Sequence, residues 1–320
     1  MLDLLKGARL IAETCMAIKP DEEVLIISDD YARSVRIAEL VTAVAKSLRA
    51  SAVMIVTAPA GIAGTEPART IAAAMKTADA ILLIGSITPA HTDARQEATD
   101  AGVRIYNLVT TSEDDLKADI SPEDIYLIKE RTEKVADMLT RASKAEITSV
   151  AGTNLVMSLA GRKGLALHPM GGDMGFVPDY AEATIAPVEG SSEGELVIDV
   201  AMIGWGHLLR EPLHLKVKGG KVVEISGYAD ESERLRKIAS TDVNASNIAE
   251  FAIGTSHVIP RVLRGMRRDV GISGMVHIAI GRSNDIGGAT FSKIHIDGIL
   301  SRATVDLDGV RLVDKEVLKI

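Results

Sequence analysis

The chain has 320 residues, 47% hydrophobic and 25% charged, with a formal net charge of −8, a make-up that excludes a disordered or fibrous protein and allows two domains. The negative balance disfavours nucleic-acid phosphates and anionic membranes, and 3% aromatics leaves little for base stacking, so neither a nucleic-acid nor a membrane partner is expected. The single cysteine, Cys15, excludes an intrachain disulfide framework; with no leader-like start and no membrane-length apolar run, the expected compartment is the cytoplasm.

Cys15 lies in the apolar helical stretch Ala8 to Ile18 and reads as a small buried hydrophobe, not a nucleophile. From Glu22 to Val109, short apolar runs alternate with longer helix-period segments, the pattern of βα units. Strands are expected at Glu23 to Ser28, Ser51 to Thr57, Ala80 to Gly85 and Val103 to Leu108, with helices at Ala32 to Leu48, Pro67 to Thr77 and His91 to Ala101. The turn after the first strand reads Ser28-Asp29-Asp30-Tyr31. Two carboxylates there would repel a pyrophosphate, so no nucleotide is expected at this position. Ala58 to Gly64 reads as a plain connection. A long amphipathic helix, Pro122 to Ser143, carries Ile125, Ile128, Val135 and Leu139 on one stripe and closes the first region.

Beyond it the texture changes to short alternating strands punctuated by glycine: Glu195 to Met202, Leu213 to Val217, Lys221 to Ser226, Val276 to Ile280, Ile294 to Ile299 and Thr304 to Asp306. Lys218 to Lys221 and Asp306 to Gly309 read as hairpin turns, and helices are expected at Glu231 to Ser240 and Ile259 to Arg267. The chain is therefore expected to fold as an α/β Rossmann-like or flavodoxin-like parallel layer over residues 1–148, followed by a β-rich α+β domain over 149–320.

Five of the seven histidines lie after Gly206. Alternation along a strand puts His295 and Asp297 on one face, an imidazole and a carboxylate side by side. His277 sits in the apolar run Met275 to Gly281, where an unpaired polar ring would be costly. Glu182 and Glu250 are likewise single carboxylates among small and apolar residues. Taken singly, each has an ordinary structural explanation: a hydrogen-bonded core histidine, or, for Glu250, the start of a turn or a helix cap. His168 and His257 read as solvent-facing or pocket-lining, His91 as structural, and Met170 to Gly175 as a flexible connection or, second to that, a lining of the substrate cleft. Two histidines and three carboxylates together suit an oxygen-rich pair of divalent ions.

In order and wording these motifs resemble the aminopeptidase T and aminopeptidase S family of metallopeptidases, over roughly Gly152 to Gly309. The resemblance rests on Gly152-Thr153-Asn154-Leu155, Glu182 to Pro187, Ala249 to Ile253, His277 to Gly281, and His295-Ile296-Asp297. It implies that Glu182, Glu250, His277, His295 and Asp297 bind two divalent ions, Zn, Co or Mn. It further implies hydrolysis of an N-terminal amino acid or related amide by water activated between them, with Glu182 or Glu250 shuttling a proton, and a homodimer. The family's tyrosine, seven residues after the first metal-binding histidine, is Asn284 here; Asp285, Arg282 and Tyr180 are candidate substitutes. A second resemblance, carried by Ser192 to Val200 and the His-x-Asp pair, is to ring-cleaving dihydroxypyridine dioxygenases. That one implies a single Fe(II) on His277, His295 and Asp297, in relatives that lack both glutamates. A third possibility is a metal-free binding protein on the same scaffold.

Overall fold

A computed structural model of the protein describes residues 2–59, 65–86, 92–108, 111–171, 176–261 and 263–320. The turn at Ala60–Gly64, His91, and the Gly172–Gly175 part of the glycine-rich segment lie outside the described residues. The chain divides into two compact units, Met1–Leu127 with His168–Asp179, and Ile128–Leu167 with Tyr180–Ile320.

The first unit holds a five-stranded sheet in the order Ser51–Thr57, Glu23–Asp29, Ala80–Ile84, Arg104–Asn107, Phe176–Pro178. All neighbours are parallel, and the first four strands follow the flavodoxin-like order, second-first-third-fourth. The middle strand, Ala80–Ile84, is buried at every position, as a strand covered on both faces requires. Helices at Ala32–Ser47, Arg69–Met75 and Asp93–Asp100 connect the strands, within a few residues of the expected ends. Cys15 ends a π-helical segment, Leu10–Cys15; burial pushes its thiol up to about 12, which suits an inert packing residue.

The helix Pro122–Arg141 starts where its sequence caps it: Asp124 Oδ2 accepts the Ser121 N–H at 2.9 Å, and the Asp124 N–H donates to Ser121 Oγ at 3.1 Å. Its stripe of Ile125, Ile128, Val135 and Leu139 is buried.

The second unit contains an eight-stranded and a six-stranded sheet. Leu155, Leu196 and Val305 from the larger sheet share one buried cluster with Ile185, Phe251, Ile253, Val276 and Ile278 from the smaller, so the two sheets enclose a common core as in a β-sandwich. The six-stranded sheet runs Ala201–Met202, His295–Leu300, Val276–Gly281, Ile248–Gly254, Glu182–Ile185, Leu165–Leu167.

Two expectations fail. Glu195 to Met202 is not one strand: Glu193–Ile198 belongs to the larger sheet and Ala201–Met202 to the smaller. Asp199, between them, takes the Ser301 N–H at 2.7 Å and the Ser301 hydroxyl at 2.5 Å; this tie marks where the chain leaves one sheet for the other. Ile259 to Arg267 is not a helix either; the described part of that segment is irregular, and a short 3-10 turn follows at Arg267–Gly271. Gly265 has φ +69, and the Asp269 carboxylate takes the backbone N–H groups of Arg264 and Met266 at 2.8 and 3.1 Å, withdrawing them from any helical ladder. No described helix is long and apolar enough to cross a membrane.

Candidate metal centre

The site follows from the two-residue period of the smaller sheet. Because Ile185, Phe251, Ile253, Val276, Ile278 and Leu300 point into the common core, the alternate residues Glu182, Glu250, His277, His295 and Asp297 share the opposite face. Register brings them together with room to converge. Glu182 pairs with Gly254, His277 with Ala252, Glu250 and Asp297 with Ala279, and His295 with Gly281. Every polar side chain thus has a glycine or alanine opposite it in one ladder, while His277 also pairs with Ile299 and Glu182 with Leu167 on the other side. Gly281 could not be larger: its φ is +113, and a Cβ would lie 2.1 Å from the Ile294 carbonyl oxygen.

All five sequence candidates meet. His277 Nε2 lies 3.7 Å from both Glu182 Oε2 and Glu250 Oε1, and His295 Nε2 lies 2.8 Å from Glu250 Oε2 and 3.1 Å from Asp297 Oδ1. Glu182, Glu250, His277 and Asp297 are buried, while the His295 side chain keeps 18% of its surface. Glu250 is therefore neither a turn residue nor a helix cap but the middle of a fully buried strand. Of the other histidines, His168 is buried, its Nδ1 accepting the Met170 N–H at 3.3 Å, and His257 is exposed.

Charge is strongly coupled here. Burial pushes the Glu182 carboxyl up, against the pull of His277, to about 7. Burial works against charge on His277, but Glu182, Glu250 and Asp297 outweigh it and raise the imidazole to about 9. In the same way Asp297 and Glu250 hold His295 well above its ordinary value despite desolvation. Glu250 falls well below the usual carboxylate range and Asp297 to about 2, burial being overcome by the histidines and, for Asp297, by Arg267 as well. Without a cation, protons on the imidazoles neutralise the carboxylates.

The donor set also fits cations. Ligand atoms of Glu182, Glu250 and His277 lie within 4.8 Å of one another, as do those of Glu250, His295 and Asp297. Glu250 belongs to both sets, with Oε1 toward His277 and Oε2 toward His295. Among the described residues, Glu182 Oε2 and His277 Nδ1 have no hydrogen-bond partner, a costly state for buried polar atoms. His295 Nδ1 lies 2.8 Å from the Arg282 carbonyl oxygen, to which its N–H donates, so Nε2 is left as the ligating nitrogen. The Thr184 hydroxyl donates to Glu250 Oε1.

Proton bookkeeping gives a direct test. At pH 7 a divalent cation must displace the proton of His277, which ordinarily leaves only near pH 9, and that of His295. Titration of Zn²⁺ into the cation-free protein, by calorimetry in buffers of differing protonation enthalpy, is expected to release protons at pH 7. Affinity should rise as the pH passes through about 9, where His277 gives up its proton. Binding without proton release would mean that the cation sits elsewhere.

One participant escaped sequence reading. Arg267 donates from Nη1 to Asp297 Oδ2 at 3.2 Å, and from Nε and Nη2 to Tyr180 Oη at 3.2 and 2.9 Å. In sequence it was one cation of the basic stretch Arg261 to Arg268, and no local signal separates it from its neighbours. Of the three candidates for the tyrosine role, Tyr180 reaches the cluster through Arg267, whereas Arg282 and Asp285 pair with each other at 2.6 Å. Asn284 itself is exposed.

The model of the NicX family, 2,5-dihydroxypyridine 5,6-dioxygenase, matches residues 8–259, a span that includes Glu182 and Glu250 and ends before His277. No curated protein matches the chain. Among solved structures, the 2,5-dihydroxypyridine dioxygenase of Pseudomonas putida KT2440 superposes with a TM-score of 0.77 at 17% identity, covering 99% of this chain and 96% of that one. Wild-type AmpT from Thermus thermophilus superposes with a TM-score of 0.72 at 19% identity, covering 100% of this chain and 99% of that one. At these identities the two structures show a shared fold.

Proposed function

The chain belongs to the NicX family, described as 2,5-dihydroxypyridine 5,6-dioxygenase, and on that enzyme scaffold we propose a hydrolase of aminopeptidase type that uses two divalent cations. The observation that carries this reading is Glu250, which turns one carboxylate oxygen to each of the two ligand sets. Glu182, Glu250 and His277 would hold one cation, and Glu250, His295 and Asp297 the other; Zn, Co or Mn suits such nitrogen and oxygen donors. Such a pair supplies Lewis acidity and an activated water for attack on an amide carbonyl.

The chain's own groups do the rest. Thr184 fixes the orientation of Glu250, and the Arg282 carbonyl fixes the imidazole of His295. Glu182, a buried carboxylate beside His277, would accept a proton from the attacking water and return it to the departing amine. Burial of four of the five side chains keeps bulk water from screening these charges.

Family membership favours a second reading, a ring-opening dioxygenase with one Fe(II) on His277, His295 and Asp297. Elemental analysis of the purified protein, with parallel assays on aminoacyl amides and hydroxylated pyridines, separates the two. The hydrolase predicts near two Zn, Co or Mn per chain and amide cleavage. One iron with ring opening would replace it by the dioxygenase, and a protein that retains no metal and processes neither substrate would overturn both.

A further inference from the structure

We infer that Arg267 is the substrate-recognition cation of this centre, and that the substrates are short acyl amino acids or dipeptides whose C-terminal carboxylate it holds. This inference rests on the hydrolase reading and narrows it to a substrate class. Arg267 is tied down on two sides, by Asp297 Oδ2 at 3.2 Å and by Tyr180 Oη at 3.2 and 2.9 Å. Its guanidinium carbon also lies 5.4 Å from the centroid of the Tyr180 ring. These contacts use three of the five N–H donors of a guanidinium. The two left over belong to a side chain that is 50% exposed, next to an Asp297 that is 4% exposed. A fixed guanidinium with spare donors on a half-exposed side chain is suited to a carboxylate.

Its distance from the chemistry sets the ligand's length. Asp297 spans the gap: Oδ1 lies 3.1 Å from His295 Nε2 inside the cluster, and Oδ2 meets Arg267 on its outer side. An anion on Arg267 therefore sits one carboxylate width from the ligand set. In a dipeptide or N-acyl amino acid, a single α-carbon separates the amide nitrogen from the carboxylate. Longer peptides carry that charge too far away. Tyr180 is then a positioning residue: it is buried, and it fixes the guanidinium without facing the substrate.

Acetylglycine and acetylglycinamide differ only in the carboxylate and serve as the probe pair. Calorimetry on the Zn-loaded full chain is expected to show acetylglycine binding at least about 10-fold tighter than the amide, the scale of one charge-assisted contact. Arg267→Met should erase the preference, Arg267→Lys should restore part of it, and Tyr180→Phe should reduce it while leaving Zn content unchanged. In hydrolysis, a dipeptide should exceed its C-terminal amide in kcat/KM, chiefly through KM. Equal binding of the two probes by the wild-type protein, or a preference that survives Arg267→Met, would overturn the assignment of Arg267. Carboxylate-selective binding without hydrolysis of either dipeptide or amide would uphold Arg267 and refute the hydrolase reading.

Discussion

Glu250→Gln is expected to reduce the cation content from about two per chain toward one and to lower amide hydrolysis by at least about 10³-fold. The carboxylate is common to both ligand sets, so its neutralisation weakens both positions at once. Glutamine keeps the shape of the side chain and an oxygen that can accept from Thr184, so the expected loss isolates charge and ligation from packing. Loss of one well-placed charge-stabilising group already costs about 2.7–4 kcal/mol of transition-state stabilisation, and here activation of the water is lost with it. Inductively coupled plasma analysis and kcat/KM on one preparation check both statements. Retention of two cations with near-normal turnover would show that Glu250 does not bridge.

The neighbouring residue has the opposite role. Phe251 points to the other face of the same strand, is fully buried, and packs in the core shared by the two sheets. Phe251→Ala is expected to destabilise the second unit by about 3–5 kcal/mol, the sum of lost transfer energy and an unfilled cavity. The ligand side chains should keep their arrangement in molecules that remain folded. Urea denaturation of the cation-free protein reads the effect as a lower midpoint at unchanged slope. A shift of less than about 1 kcal/mol would mean that the core collapses around the alanine.

The contrast between these neighbours explains which parts were legible in sequence. His277, His295 and Asp297 stand in runs of Val and Ile, so the strands, and the common face of His295 and Asp297, could be read from alternation. The parallel βα layer was visible for the same reason, within a few residues at each end. Glu182 and Glu250 could be noticed as unusual carboxylates but not placed. Their strands contain Ala183, Ala249 and Ala252, small residues of low strand propensity. Ala252 and Ala279, with Gly254 and Gly281, are the small residues that open space for the polar cluster.

Other features depend on contacts remote in sequence. Arg267 meets Asp297 across 30 positions, and the ties from Asp269 to Arg264 and Met266 help hold that loop in place. The apolar spacing of Ile259 and Leu263 imitates a helix, but these side chains instead pack on the cluster around Tyr180, Val270 and Ile299. The three-residue strand Phe176–Pro178, which joins the parallel sheet, is too short to carry a periodic signal.

Crystals grown with Zn²⁺ and measured on both sides of the zinc absorption edge test the central claim most directly. Two anomalous peaks flanking Glu250 are expected, one among Glu182, Glu250 and His277 and the other among Glu250, His295 and Asp297. A single peak on His277, His295 and Asp297 that leaves both glutamates uncoordinated, or no peak at this face of the sheet, would contradict it.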